Sequence, residues 1–223
     1  MHIEFPAEPG EILWEGLLEP PQVMRGAGLP RVVVRKPAEW SDDQLVCKGW
    51  QPPLGGGRYR LVRFLFTIFP QGRGRVASAD FCLALHPQGG QQALVYDAFP
   101  RERLVDVPLP VKIGLSPSLK FETAEAALAS LETTLDFGWV VPVLSTDGLG
   151  SRRFCWHYAA HPRRPIAADH GVFAVIHLPQ GIPAASLTLD LRATQEDRFG
   201  PLTLATPETA RGKLQCTIGL ERA

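Results

Sequence analysis

Proline and glycine punctuate this chain from end to end, 21 of each among its 223 residues. Proline removes a backbone donor and clashes with the preceding helical turn. Glycine in a helix interior costs about 1 kcal/mol relative to alanine. Long helices therefore have little room. What fits between the breakers is a series of short strands.

The strongest strand signal is Tyr59 to Phe69, bounded by Gly55-Gly56-Gly57 and Pro70-Gln71-Gly72. Val62, Phe64, Phe66 and Ile68 form a continuously apolar face, while Leu61, Arg63, Leu65 and Thr67 form a mixed one. That alternation suits an antiparallel strand packed on one side. Val32-Val33-Val34, between Pro30 and Pro37, reads as a short strand, with a second apolar run at Ile12–Leu18. Further strands are expected at Ala79–Leu85, Ala93–Phe99, Pro110–Leu115, Trp139–Leu144, Arg153–Tyr158, Val172–Leu178, Ser186–Ala193 and Lys213–Leu220. Turn-forming clusters separate them, so the expected fold is mainly β, an antiparallel sandwich-like arrangement.

One segment breaks the pattern. Thr123 to Leu135 contains neither Gly nor Pro, and Ala124, Ala127, Leu128, Leu131 and Leu135 share one helical face. With Thr123 as N-cap and Gly138 as stop signal, it predicts one short helix. The organisation expected is a Pro/Gly-rich segment with short strands over 1–40, a β module over 41–122, a helical connector over 123–138 and a second β module over 139–223. The two modules resemble each other. Phe64 to Gly72 lines up with Phe173 to Gly181, both ending in Pro-Gln-Gly, and a second alternating strand follows each. The repeat unit implied is a β-hairpin whose connection begins with that tripeptide, although Pro87-Gln88-Gly89 repeats the tripeptide out of register.

Charge excludes more than it identifies. Lys+Arg and Asp+Glu each number 23, so the formal net charge is zero, unlike the strongly basic footprint of a nucleic-acid binder. No secretory signal is legible at the N-terminus, and the most apolar stretch, Leu61 to Phe69, carries Arg63 and is too short for a bilayer. Cys47, Cys82, Cys155 and Cys216 include no C-x-x-C pair. They read as small apolar residues of a cytoplasmic protein rather than halves of bridges.

The richest polar cluster is Cys155, His157, His161, His170 and His177. Thiolate and imidazole are the usual zinc ligands. However, Pro162 disfavours helical geometry at His161, so His157 and His161 do not form a chelating helical pair. A metal site is therefore the alternative reading, and no cofactor is expected. Asp147 or Asp169 with His170 would supply two parts of a hydrolytic triad, but no third part is legible, and no residue is assigned a catalytic role. Arg58, Arg60, Arg63, Arg73 and Arg75, interleaved with Tyr59 and Phe64, are the alternative nucleic-acid surface, since stacking aromatics with arginines suit single-stranded RNA. Trp14 and Trp40, in the Pro-rich N-terminal part, are the candidate interface residues. The reading these observations favour is a non-enzymatic interaction or accessory subunit. Its expected partner is a protein or a second copy, rather than a membrane or nucleic acid. A metal-dependent enzyme and an RNA-binding accessory protein are the alternatives.

Overall fold

A computed structural model describes residues 10–20, 29–43, 56–70, 74–87, 92–102, 114–116, 119–120, 143–160, 166, 169–197, 200–207, 210 and 212–219. The expected helix over 123–135, the strand at Pro110–Leu115 up to residue 113, and residues 139–142 of the Trp139–Leu144 strand lie outside these residues.

Two antiparallel sheets pack face to face as a sandwich. The first runs β1 (Ile12–Leu17), β2 (Arg31–Arg35), β4 (Gly57–Phe69), β11 (Asp169–Pro179) and β6 (Leu94–Phe99), with β3 (Ala38–Ser41) also on β4. The second runs β13 (Gly200–Ala205), β12 (Ala185–Asp197), β5 (Arg75–Pro87), β10 (Arg153–Ala159) and β9 (Val143–Asp147), with β14 (Gln215–Ile218) on β12. A separate two-stranded sheet pairs β7 (Gly114–Ser116) with β8 (Leu119–Lys120). Both large sheets draw strands from both halves of the chain.

The apolar face read from β4 is the inner face. Phe66 stacks on Phe81 of the second sheet at 4.5 Å and meets Tyr158 edge-on at 5.6 Å, while Phe64 lies 6.2 Å from Trp156. All of these side chains are buried in one core cluster. Each buried phenylalanine contributes roughly 1.5–3 kcal/mol by removing apolar surface from water. This aromatic column is what holds the sheets together.

The hairpin reading of Pro-Gln-Gly is corrected. β4 and β5, joined through the first copy, do not pair with each other but belong to different sheets, as do β11 and β12 around the second. The tripeptide marks a crossing between layers, because each strand finds its ladder partner elsewhere: β4 on β11, and β5 on β12. The two resembling stretches are thus antiparallel neighbours in both sheets. Their alignment slips by one residue on the first strand. Phe64 faces the core, opposite Val172, whereas Phe173 lies opposite Arg63 on the other face. A slip of one reverses every side chain.

Trp14 is buried in the core cluster with 8% of its surface exposed, and Trp40 is half-buried on β3 opposite Leu61. Among the described residues, no helix is long and apolar enough to cross a membrane.

Candidate functional site

The outer face of the second sheet carries a polar grid built by strand register. On β10, Cys155 and His157 point outward, while Phe154, Trp156 and Tyr158 enter the core. Register places His157 opposite Asp80 and Cys155 opposite Cys82 on β5. On the far side of β10, Cys155 stands opposite Asp147 of β9. On the far side of β5, Arg192 stands opposite Asp80 and Asp190 opposite Cys82, both from β12. Residues far apart in sequence thereby become neighbours, because antiparallel pairing brings directly opposed Cβ atoms to about 5 Å.

Cys82 and Cys155 form a disulfide, with Cα atoms 4.1 Å apart. This corrects the reading of four unbridged cysteines. The two lie at a close cross-strand pair, where opposed side chains approach most nearly. Cys216 is a free thiol, pushed up to about 11 by burial and by the charge of Glu39. Cys47 lies outside the described residues.

His157 is held between two carboxylates. Its Nδ1 lies 2.8 Å from Asp80 Oδ1 and its Nε2 3.2 Å from Asp147 Oδ2. Partial burial disfavours the charged ring, but the hydrogen bonds and charges of Asp80 and Asp147 outweigh it, and the His157 pKa rises above the ordinary value. In the protonated form both nitrogens donate, one to each carboxylate. Arg153 and Arg192 line the same depression, a half-open hollow of about 320 Å³. Asp190 accepts from Arg192 Nε at 3.3 Å.

The turn joining β9 to β10 fixes Asp147 beside Cys155. Gly148 and Gly150 have φ of 86° and 76°. A Cβ on Gly148 would stand 2.1 Å from the Arg153 carbonyl oxygen, so the tight return needs glycine there. The turn is anchored to both sheets: Gly150 N–H donates to the Val95 carbonyl, and Leu85 N–H donates to the Arg152 carbonyl.

The histidine cluster read from the sequence divides between the sheets. Cys155 and His157 belong to β10. His170 and His177 belong to β11 in the first sheet, and His161 lies outside the described residues. His170 packs on Phe66 at 5.0 Å and Tyr158 at 4.8 Å. His177 rests 4.8 Å from the Tyr59 ring, and neither of its ring nitrogens meets a hydrogen-bond partner among the described residues. Asp169, weighed as a partner for His170, accepts a hydrogen bond from Thr67 Oγ1.

The arginine set also divides. Arg58, Arg60 and Arg63 lie on β4, and Arg75 lies on β5 in the other sheet. Arg60 is only 4% exposed and sits 3.7 Å from Asp42, whereas Arg75 binds Glu196 with two N–H groups at 2.8 and 3.0 Å. Burial lowers the Arg63 pKa. Arg73 lies outside the described residues. Sequence reasoning found His157 and Cys155 but missed Asp80 and Cys82 as their partners. The usable signal was alternation: Asp80 and Cys82 occupy the outward positions between inward Ala79, Phe81 and Leu83.

No family model and no curated protein matches this chain. Among solved structures, one described as "Pore forming protein" is similar over 92% of this chain and 93% of that chain, at 7% identity and a TM-score of 0.38. A likeness that loose carries no functional argument.

Proposed function

We propose that this chain is a non-enzymatic interaction module, an accessory subunit that docks a protein partner on the outer face of its second sheet. The observation that supports the reading is the form of that face. Arg192, Asp80, His157, Asp147 and Arg153 alternate in charge across a half-open depression on four neighbouring strands, β12, β5, β10 and β9. Small-molecule sites are concave and enclose most of the ligand's surface. An open grid of alternating charges suits instead a complementary polar surface, where such charges set register and partner choice. In the cytoplasm, the compartment expected from the sequence, disulfides are usually transient and redox-sensing. The Cys82–Cys155 pair fits that use.

The test is affinity capture from the native cell, comparing the wild type with an Asp147→Lys, Arg153→Glu double variant and with a Phe69→Ser variant distant from the face. A protein bound by the wild type and by Phe69→Ser, but lost from a double variant that melts like the wild type, supports the reading. Identical captured partners for all three would remove the outer face as the docking surface.

A further inference from the structure

We propose that the Cys155, His157 and Asp147 side chains form a zinc-type metal site that the Cys82–Cys155 disulfide keeps closed and reduction opens. The proposal concerns the same face as the docking reading but does not rest on it.

Two independent observations carry it. The first is proximity: the Cys155 Sγ, a His157 ring nitrogen and an Asp147 carboxylate oxygen all lie within 4.8 Å of one another. Ligands around a tetrahedral zinc, at bond lengths near 2.0–2.3 Å, stand about 3.5 Å apart. Asp147 Oδ2 and His157 Nε2 are already at 3.2 Å. Only the sulfur has to approach, and one freed from its partner turns about its own Cα–Cβ bond. The second observation is orientation. Metal-bound histidines hold their other ring nitrogen against a carboxylate, which sets the tautomer and aims the ligating nitrogen. Asp80 Oδ1 does this at His157 Nδ1, at 2.8 Å, leaving Nε2 directed at Asp147.

The donor set is one thiolate, one imidazole and one carboxylate, a mixture that suits zinc better than magnesium or calcium. Three protein ligands leave a fourth position, and the depression opens that position to water. Arg153 and Arg192 oppose a dication here, while Asp80, Asp147 and Asp190 offset them.

In the disulfide form, Cys155 has no thiolate to offer, and two ligands remain. Opening the site needs a dithiol reductant. The dithiol gives two electrons and two protons to the S–S bond and becomes a disulfide itself, and Cys82 and Cys155 become thiols. Metal binding then displaces the Cys155 thiol proton and the Nε2 proton of His157, both of which pass to water.

Cobalt(II) is the probe, because a thiolate ligand adds a charge-transfer absorption that other ligands do not. The background is Cys47→Ser, Cys216→Ser, so that no other thiol contributes. Protein reduced with dithiothreitol and desalted without oxygen should bind about one equivalent of cobalt with that absorption, and the oxidised protein should not show it. Cys82→Ser should show it with no reductant, since Cys155 is then permanently free. Cys155→Ser should abolish the absorption. Asp80→Asn should weaken binding about 10–100-fold while keeping the absorption, as loss of the orienting carboxylate does. Equal cobalt binding by oxidised and reduced protein would overturn the gate. Absence of the absorption from the reduced protein, or its survival in Cys155→Ser or His157→Gln, would overturn the site. Should Cys82→Ser fail to fold, the reduced background protein gives the same reading.

Discussion

The outer faces of the two sheets differ more than their inner faces do. On the first sheet, the face turned away from the shared core is itself buried: Tyr59, Leu61, Phe173 and Val175 are each less than 5% exposed. On the second, the corresponding face is wet and carries Asp80, His157, Asp190 and Arg192. A histidine on each face reports the contrast. His177, against Tyr59 and above Gly57, is desolvated without compensation, and its pKa falls below the ordinary value. His157, although partly buried, is compensated by two carboxylates, and its pKa rises. Surroundings, not residue type, decide which histidine carries charge near neutral pH.

The contrast breaks most visibly at phenylalanine. If the first sheet is covered on both faces, Phe173→Ala should cost about 3–5 kcal/mol although it lies outside the main core, whereas Arg192→Ala on the wet face should stay within about 0.5 kcal/mol. Urea denaturation of the two variants measures this, and equal costs would erase the difference between the faces.

The disulfide comes next. It closes a separation of 73 residues, and bridges of that kind stabilise by about 2–4 kcal/mol, largely by restricting the unfolded chain. Reduction should lower the melting temperature accordingly without altering the far-ultraviolet circular dichroism. Loss of β signal at room temperature would mean that the bridge, rather than the aromatic core, holds the second sheet together.

Gly148→Ala should follow, costing about 1–3 kcal/mol for a side chain forced into a left-handed conformation, with the added clash against the Arg153 carbonyl. Gly150, also at positive φ but with nothing within 4 Å of a Cβ, should cost less when replaced. Thermal melts of both variants rank them, and the reverse order would refute the close approach at Gly148.

The smallest effects are in pH dependence, and the two histidines should act with opposite sign. The raised pKa of His157 adds stability that is fully present below about pH 6.5, the unfolded value, and is lost as pH rises through the higher folded value. The lowered pKa of His177 resists protonation, so stability falls as pH drops from about 6.5 through the lower folded value. His157→Gln should remove the alkaline-side loss, and His177→Leu the acid-side loss. Melting temperatures from pH 5 to 9, the range in which histidines titrate with shifts of this kind, distinguish them. If either variant removed the other's slope, the assignment of charge to the two faces would be wrong.

Alternation along β4, β5, β10 and β11 made the strands and the inner core legible: Phe64, Phe66, Phe81 and Trp156 are where the periodicity put them. The short strands β3 and β13 were not legible, since Ala38-Glu39-Trp40-Ser41 carries no alternation and Gly200-Pro201 opens with two strand breakers. They are strands because β4 and β12 offer them ladder partners.

The local pattern of this chain thus determined its class, its long strands and which of their side chains turn inward, because a period of two residues is written into neighbouring positions. Which sheet each strand joins, and what stands beside each outward side chain, was decided only by the tertiary structure. Cys82 meets Cys155, and Asp80 meets His157, across more than seventy residues. Those meetings depend on the register of β5 with β10, and a shift of β10 by one position would turn Cys155 and His157 into the core. Register follows from burying Phe81, Trp156 and their neighbours together, a condition on the packed sheets that no single segment of the chain expresses.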